Sequence, residues 1–154
     1  MLKAIFGALT IALLLSSCTP EPQAINFGTD ICHFCKMTIV DQRFGAELVT
    51  NKGKVYKFDA TECLVNAVYK DEIVSSDNVH SLWVVSYDHP KQLIKAKDAV
   101  YLHSKNLPSP MGMFLTAFCK PDMLNKTHQQ KKGRKLAWAD VKNVVIQNLQ
   151  PPQN

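Results

Sequence analysis

The amino-acid sequence predicts an α+β fold built from short strands and short helices. Two β-prone runs, residues 44–50 and 54–58, flank an Asn51-Lys52-Gly53 turn, which is the pattern of a β-hairpin. An amphipathic helix and a further strand follow, and a similar succession of strands and a helix recurs over residues 99–130. A length of 154 residues accommodates one domain or two small modules. This recurrence suggests a duplicated module.

The first seventeen residues have the features of an export signal that is removed from the mature protein. Lys3 supplies a positive charge, and residues 4–15 form an apolar run too short to span a bilayer as a stable helix. Leu15-Ser16-Ser17-Cys18 resembles a bacterial lipobox, in which the cysteine becomes the lipid-bearing first residue. An ordinary secretory signal that leaves Cys18 as a free thiol is the alternative.

We therefore expect a signal peptide over 1–17, followed by the lipidated Cys18 and a short tether over 18–29. Proline and polar residues at the start of this tether favour a flexible spacer between bilayer and domain. Thr19 is not the aspartate associated with inner-membrane retention in some bacteria. This favours a periplasm-facing lipoprotein of the outer membrane.

Further elements follow the cysteine-rich stretch near residue 32. Residues 37–40 are β-branched and predict the start of a strand, and the hairpin comes next. Asp59 and Glu62 have capping-box spacing and predict a helix that runs to about Lys70. Residues 79–87 predict a strand that ends at Asp88-His89-Pro90.

The second half of the chain contains a comparable set of elements. Residues 91–96 are ambiguous, and residues 105–112 form a loop restricted by two prolines. The expected elements are strands over 99–104, 114–119 and 135–138 and helices over 121–130 and 139–149.

The charge pattern, together with the export signal, disfavours a nucleic-acid partner. The formal net charge is +5, and the cationic side chains are scattered apart from the cluster at 131–135, which is typical of a solvated turn. Anionic lipid is the alternative partner for that cluster. The sequence contains no nucleophilic triad, phosphate loop or carboxylate pair that would indicate catalysis.

The residues that carry chemistry lie in a stretch of six, from Cys32 to Met37. Cys32 and Cys35 have CxxC spacing, so both sulfurs can face one point, and Met37 follows two residues later. Thiolate and thioether are soft ligands that suit Cu(I), whereas a structural Zn²⁺ site takes four Cys or His ligands. A Cys32–Cys35 disulfide with Met37 in the core is the alternative. Cys63 is most simply a small buried hydrophobe, although it could supply a third thiol.

Four segments of the chain, in this order, resemble the NosL family. They are Cys32-His33-Phe34-Cys35-Lys36-Met37, Arg43-Phe44-Gly45-Ala46-Glu47-Leu48, Tyr56-Lys57-Phe58-Asp59 and Ser109-Pro110-Met111-Gly112. These lipoproteins are accessory factors of bacterial nitrous oxide reductase. The resemblance implies two related ββαβ-type modules, which we place at 30–90 and 91–150. It also implies Cu(I) binding by Cys32, Cys35, Met37 and Met111. The implied partner is a copper-receiving cuproenzyme or its membrane maturation machinery.

Two other functions stay open on the sequence. A thiol–disulfide oxidoreductase places CxxC at a helix N-terminus, where the helix dipole lowers the thiol pKa. The residues after Cys35 are a poor helix start, which disfavours that function. A structural module in which Cys32, Cys35, Cys63 and Cys119 hold one Zn²⁺, or pair as disulfides, is the other alternative. His80 is expected to be an ordinary strand residue.

Overall fold

The computed structural model describes residues 19–69 and 73–149, so the predicted signal peptide and the lipidation site Cys18 lie outside the described residues. The described chain forms two antiparallel sheets and three α-helices. The strands are β1 (Ala46–Thr50), β2 (Val55–Phe58), β3 (Val79–Ser86), β4 (His89–Lys95), β5 (Val100–His103), β6 (Leu115–Phe118) and β7 (Arg134–Leu136). The helices are α1 (Thr61–Tyr69), α2 (Pro121–Lys131) and α3 (Trp138–Leu149), and a 3₁₀ turn spans Ser76–Asn78.

The two sheets repeat one topology, which confirms the α+β fold and the ββαβ arrangement that the family resemblance implies. The first sheet has strand order β2-β1-β3-β4, and the second has order β6-β5-β7. In each, a hairpin is followed by a helix and by a third strand that pairs with the first strand of the hairpin. The first hairpin turns at Gly53, whose φ of +78° favours glycine.

The segment from His89 to Lys95 corrects the sequence expectation. The chain does turn after β3, at Tyr87 and Asp88, but it returns at once as β4 and pairs with β3. Pro90 lacks an N–H, and β4 tolerates it because this strand lies at the edge of the sheet. The first sheet therefore extends to Lys95 and crosses the module boundary expected at residue 90.

Two helices lie between the sheets. Helix α1 contacts β1 of the first sheet and β6 of the second, while α3 contacts α1 and β5. This layer holds the main core, in which Leu48, Leu64, Tyr101, Leu115 and Val145 are fully buried. Helix α2 covers the other face of the second sheet through a smaller cluster around Leu102, Phe118 and Leu124. The second sheet is thus covered on both faces.

The basic segment at 131–135 forms the turn from α2 into β7, with most of its side chains exposed. A Cβ added at Gly133 would lie 2.3 Å from the His103 carbonyl oxygen, so the turn requires glycine. Among the described residues, no helix has both the length and the apolar character needed to cross a bilayer.

Candidate metal centre

The CxxC stretch is a closed backbone loop and not the start of a strand. The Cys32 N–H donates to the Met37 carbonyl at 2.8 Å, and the Lys36 N–H donates to the Cys32 carbonyl at 3.0 Å. Lys36 adopts a left-handed φ of +65° to close the loop. The strand expected over 37–40 is reduced to one isolated bridge between Ile31 and Thr38. These hydrogen bonds within the loop satisfy its backbone groups, so the segment does not need to pair with a neighbouring strand.

The loop is fixed to the second strand of the first hairpin. The His33 N–H donates to the Lys57 carbonyl at 2.9 Å, and the Lys57 N–H donates to His33 Nδ1 at 3.2 Å. Lys57 Nζ also binds Asp30 Oδ2 at 2.7 Å. His33 Nδ1 also lies 3.2 Å from the Lys57 carbonyl oxygen. These contacts set the position of Cys32 relative to β2.

Helix α1 brings a third thiol to the loop. Its first residue is Thr61, so Cys63 lies in the first turn, just after β2 delivers the chain to this side of the sheet. The Sγ atoms of Cys32, Cys35 and Cys63 all lie within 4.8 Å of one another. All three are free thiols, with Cys32 and Cys63 fully buried and Cys35 half-buried. We call these three residues the thiol cluster.

The thiol cluster holds one easily ionised sulfur. The pKa of Cys32 is lowered to about 5, chiefly because the Cys63 thiol donates a hydrogen bond to the Cys32 sulfur. Burial opposes this shift, while the N–H groups of Asp59, Cys35 and Phe34 add to it. The pKa of Cys63 is raised far above its ordinary value, first because it donates to Cys32 and then because it is buried. Burial also raises the pKa of Cys35. Of the three thiols, Cys32 is therefore the one that ionises most readily.

Asp59 lies beside this thiolate and is affected by it. Its pKa is raised to about 6, first by burial and then by the negative charge on Cys32. Since the Asp59 N–H donates to Cys32, the residue stabilises the thiolate through its backbone while its carboxylate is destabilised.

The loop between β5 and β6 contains Ser109 and Met111 and packs against the same helix as Cys63. We call it the Ser109 loop. Ser109 Oγ donates a short, buried hydrogen bond to Glu62 Oε1 and accepts one from the Phe114 N–H at 2.9 Å. The Gly112 N–H closes the turn on the Ser109 carbonyl at 2.9 Å. Glu62 is thus directed at the Ser109 loop, although its spacing from Asp59 predicted a capping box. Met111 is half-buried and packs against the main core.

Comparison with known proteins fits this architecture. A model of the NosL family matches residues 24–146. The chain belongs to the NosL family. The crystal structure of the copper chaperone NosL from Shewanella denitrificans is 22% identical, with a TM-score of 0.66 over 79% of this chain and 96% of that chain. The likeness shows that the two chains share a fold. No protein with a curated description matches the chain.

In this NosL-family chain, the predicted site residues fall into three places. Cys32 and Cys35 share the thiol cluster, and Met37 lies at the end of the same loop with 47% of its surface exposed. Met111 lies in the Ser109 loop, and Cys18 is outside the described residues. The structure adds Cys63 and separates Cys119, which lies with Asp88 and His89. The single four-cysteine site considered from the sequence is therefore not formed.

Proposed function

We propose that this protein is a Cu(I)-binding chaperone that delivers copper to a cuproenzyme of the cell envelope. The observation that carries the proposal is the meeting of three sulfurs within 4.8 Å in a chain of the NosL family. The structurally similar protein from Shewanella denitrificans is described as a copper chaperone. Copper is the cargo in this proposal, bound for transfer and not retained as a cofactor.

The ligand chemistry of the thiol cluster favours Cu(I). Thiolate and thioether sulfur are soft ligands, and the cluster contains no oxygen or imidazole ligand. A structural Zn²⁺ site has four ligands, whereas Cu(I) is satisfied by two or three sulfurs. The lowered pKa of Cys32, about 5, also makes a thiolate ligand available near neutral pH.

The exposure of the sulfurs suggests how copper enters and leaves. Cys32 and Cys63 lie at the buried end, Cys35 is half-buried and Met37 is exposed. An incoming partner ligand would therefore first exchange with Met37 or Cys35. Since thioethers are neutral and bind more weakly than thiolates, transfer can proceed one ligand at a time. Met111 is the predicted ligand from the second module, held near α1 by the Ser109–Glu62 hydrogen bond.

The destination and location follow from the family and the N-terminal sequence. We propose that the receiver is nitrous oxide reductase or a related cuproenzyme, or the membrane machinery that matures it. Lipid on Cys18 would hold the protein on the periplasmic side of the outer membrane, close to such a partner. The protein is proposed to act by metal transfer, without catalysing a reaction and without binding nucleic acid.

A thiol–disulfide oxidoreductase function fits the geometry less well. A lowered thiol pKa is typical of such enzymes, but their attacking cysteine is accessible and lies at a helix N-terminus. Here the thiol with the lowered pKa is Cys32, which is fully buried, and the CxxC motif lies in a turn.

Competition with a chromophoric Cu(I) chelator tests the proposal. The reduced wild-type protein is expected to take one Cu(I), and Cys32→Ser/Cys35→Ser is expected to lose this binding. Cys119→Ser is the matched control, because Cys119 lies outside the thiol cluster. If the double variant competes as well as the wild type, the copper site is elsewhere. Transfer is tested separately, by following copper from the loaded protein into copper-free nitrous oxide reductase.

A further inference from the structure

A second set of side chains that could bind a metal lies at the C-terminal end of β3. Atoms of Asp88, His89 and Cys119 lie within 4.8 Å of one another. Cys119 Sγ is 3.3 Å from Asp88 Oδ2, and His89 Nε2 is 4.0 Å from the same oxygen. These residues belong neither to the CxxC loop nor to the Ser109 loop. We call them the Asp88 cluster.

The backbone holds the Asp88 cluster in place. Asp88 lies in the two-residue turn between β3 and β4, and His89 is the first residue of β4. Cys119 follows the last residue of β6 in the second sheet. The Tyr87 N–H donates to the Ala117 carbonyl at 2.8 Å, and the Cys119 N–H donates to Ser86 Oγ at 2.9 Å. The cluster is therefore built at a junction where the two sheets are already hydrogen-bonded.

The Asp88 carboxylate is buried and held in position by hydrogen bonds. Its side chain is 1% exposed, and it accepts hydrogen bonds from Ser86 Oγ and from the Cys119 N–H and thiol. His89 Nε2 lies 4.0 Å from Asp88 Oδ2, and the His89 side chain is 44% exposed.

We propose that Asp88, His89 and Cys119 bind one Zn²⁺. One carboxylate oxygen, one imidazole nitrogen and one thiolate form a borderline ligand set that Zn²⁺ accepts and that Cu(I) does not prefer. Ligand atoms on one tetrahedral Zn²⁺ lie about 3.4–3.6 Å apart, given bonds of about 2.0–2.3 Å. Two of the observed separations are 3.3 and 4.0 Å, and the third, between His89 and Cys119, is within 4.8 Å. Rotation of the exposed His89 ring would bring its nitrogen closer to the other two atoms.

The consequence of this site is a metal link between the two sheets. Asp88 and His89 come from the first sheet and Cys119 from the second, so a bound ion fastens the β3–β4 turn to the end of β6. Three protein ligands leave one coordination position for water. The protein would then hold two metals of different character, with soft sulfur ligands at one site and mixed ligands at the other.

The test uses the mature chain with Cys32→Ser/Cys35→Ser, so that the thiol cluster no longer competes for metal. Zn²⁺ is titrated against a chromophoric chelator, and Co²⁺ is used as the spectroscopic probe. We expect one equivalent of Zn²⁺, a thiolate-to-Co²⁺ charge-transfer band that Cys119→Ser removes, and a higher melting temperature with Zn²⁺. In this background His89→Gln should weaken Zn²⁺ binding at least tenfold. His80→Gln is the matched control, since His80 is an exposed histidine on β3 and should leave binding unchanged.

Two results would overturn the proposal. One is a double-serine chain that folds and binds no Zn²⁺. The other is equal Zn²⁺ affinity in the His89→Gln and His80→Gln variants. If the double-serine chain does not fold, the two histidine variants are compared in the wild-type chain loaded with one equivalent of Cu(I). The same loss on His89→Gln alone is expected there, and its absence refutes the site.

Discussion

Replacing Cys63 separates two roles that the structure gives this thiol. Cys63 donates a hydrogen bond to Cys32, which is the main cause of the lowered Cys32 pKa, and it lies within ligand distance of the other two sulfurs. Cys63→Ser keeps a donor at this position but removes the sulfur, whereas Cys63→Ala removes both. The two variants should therefore differ in Cys32 ionisation and agree in copper binding.

The magnitudes follow from the strength of a hydrogen bond to a charged group. Such a bond is worth about 1.5–3 kcal/mol, and one pKa unit corresponds to about 1.4 kcal/mol. In Cys63→Ala the Cys32 pKa should rise from about 5 by roughly one to two units, while in Cys63→Ser it should change less. Both variants should lose at least tenfold in Cu(I) affinity, or about 1.4 kcal/mol.

The Cys32 pKa is measured from the pH dependence of its Cβ chemical shift in the reduced protein labelled with ¹³C-cysteine, with each variant compared at matched folded fraction. Copper affinity is measured by chelator competition, with Cys119→Ser as the control. Wild-type Cu(I) affinity in Cys63→Ser would show that Cys63 is not a ligand. An unchanged Cys32 pKa in Cys63→Ala would show that the backbone N–H groups, and not Cys63, ionise Cys32.

Three further outcomes are expected. Met111→Ala should weaken Cu(I) binding or speed copper loss without unfolding, whereas Met113→Ala and Met123→Ala should do neither; an unchanged sulfur shell in X-ray absorption would contradict this. The pKa of Glu62 is raised by burial from 4.5 to about 7. Ionisation of Glu62 therefore favours the unfolded state: this loss of folding stability should be absent below about pH 4.5, grow up to about pH 7 and stay constant above. Glu62→Gln should therefore raise stability at pH 8 by up to roughly 3 kcal/mol and little at pH 4, as read from denaturant titrations; equal gains at both pH values would refute it. Cys18→Ser should release the mature domain from membranes or leave a precursor, and mass spectrometry that finds an unmodified Cys18 would exclude the lipid anchor.

Features encoded by neighbouring residues were predictable from the sequence. The first hairpin follows from β-prone residues around Gly53, and α1 follows from an apolar face after Asp59. The CxxC motif places Cys32 and Cys35 together by spacing alone. In each case the pattern and the structure it specifies lie within a few residues of each other.

Features that depend on distant packing were not predictable in the same way. Cys63 was interpreted as a buried hydrophobe, and it is buried, but its approach to Cys32 depends on the pairing of the CxxC loop with Lys57 in β2. The available signal was its position in the first turn of a helix that follows that strand directly. Strand β4 was hidden by Pro90, because local rules cannot tell an edge strand from a loop.

The Asp88 cluster shows the same limit more strongly. Asp88 and His89 are adjacent in sequence, but Cys119 reaches them only because the end of β6 hydrogen-bonds to the end of β3. Residue spacing along the chain does not predict which residues meet where two sheets are in contact. Resemblance to a family identifies motifs, and side chains outside those motifs become visible only when the fold brings them together.

The first hairpin lies between two of the thiols in the sequence, so the thiol cluster depends on the folding of that hairpin. Cys32 precedes β1 and Cys63 follows β2, so the three sulfurs converge only after the intervening hairpin has closed and α1 has docked. Closing this long loop costs entropy that the non-local contacts of the folded state must offset. An extended chain offers copper no more than the adjacent Cys32–Cys35 pair. The complete set of sulfurs is thus a property of the finished fold.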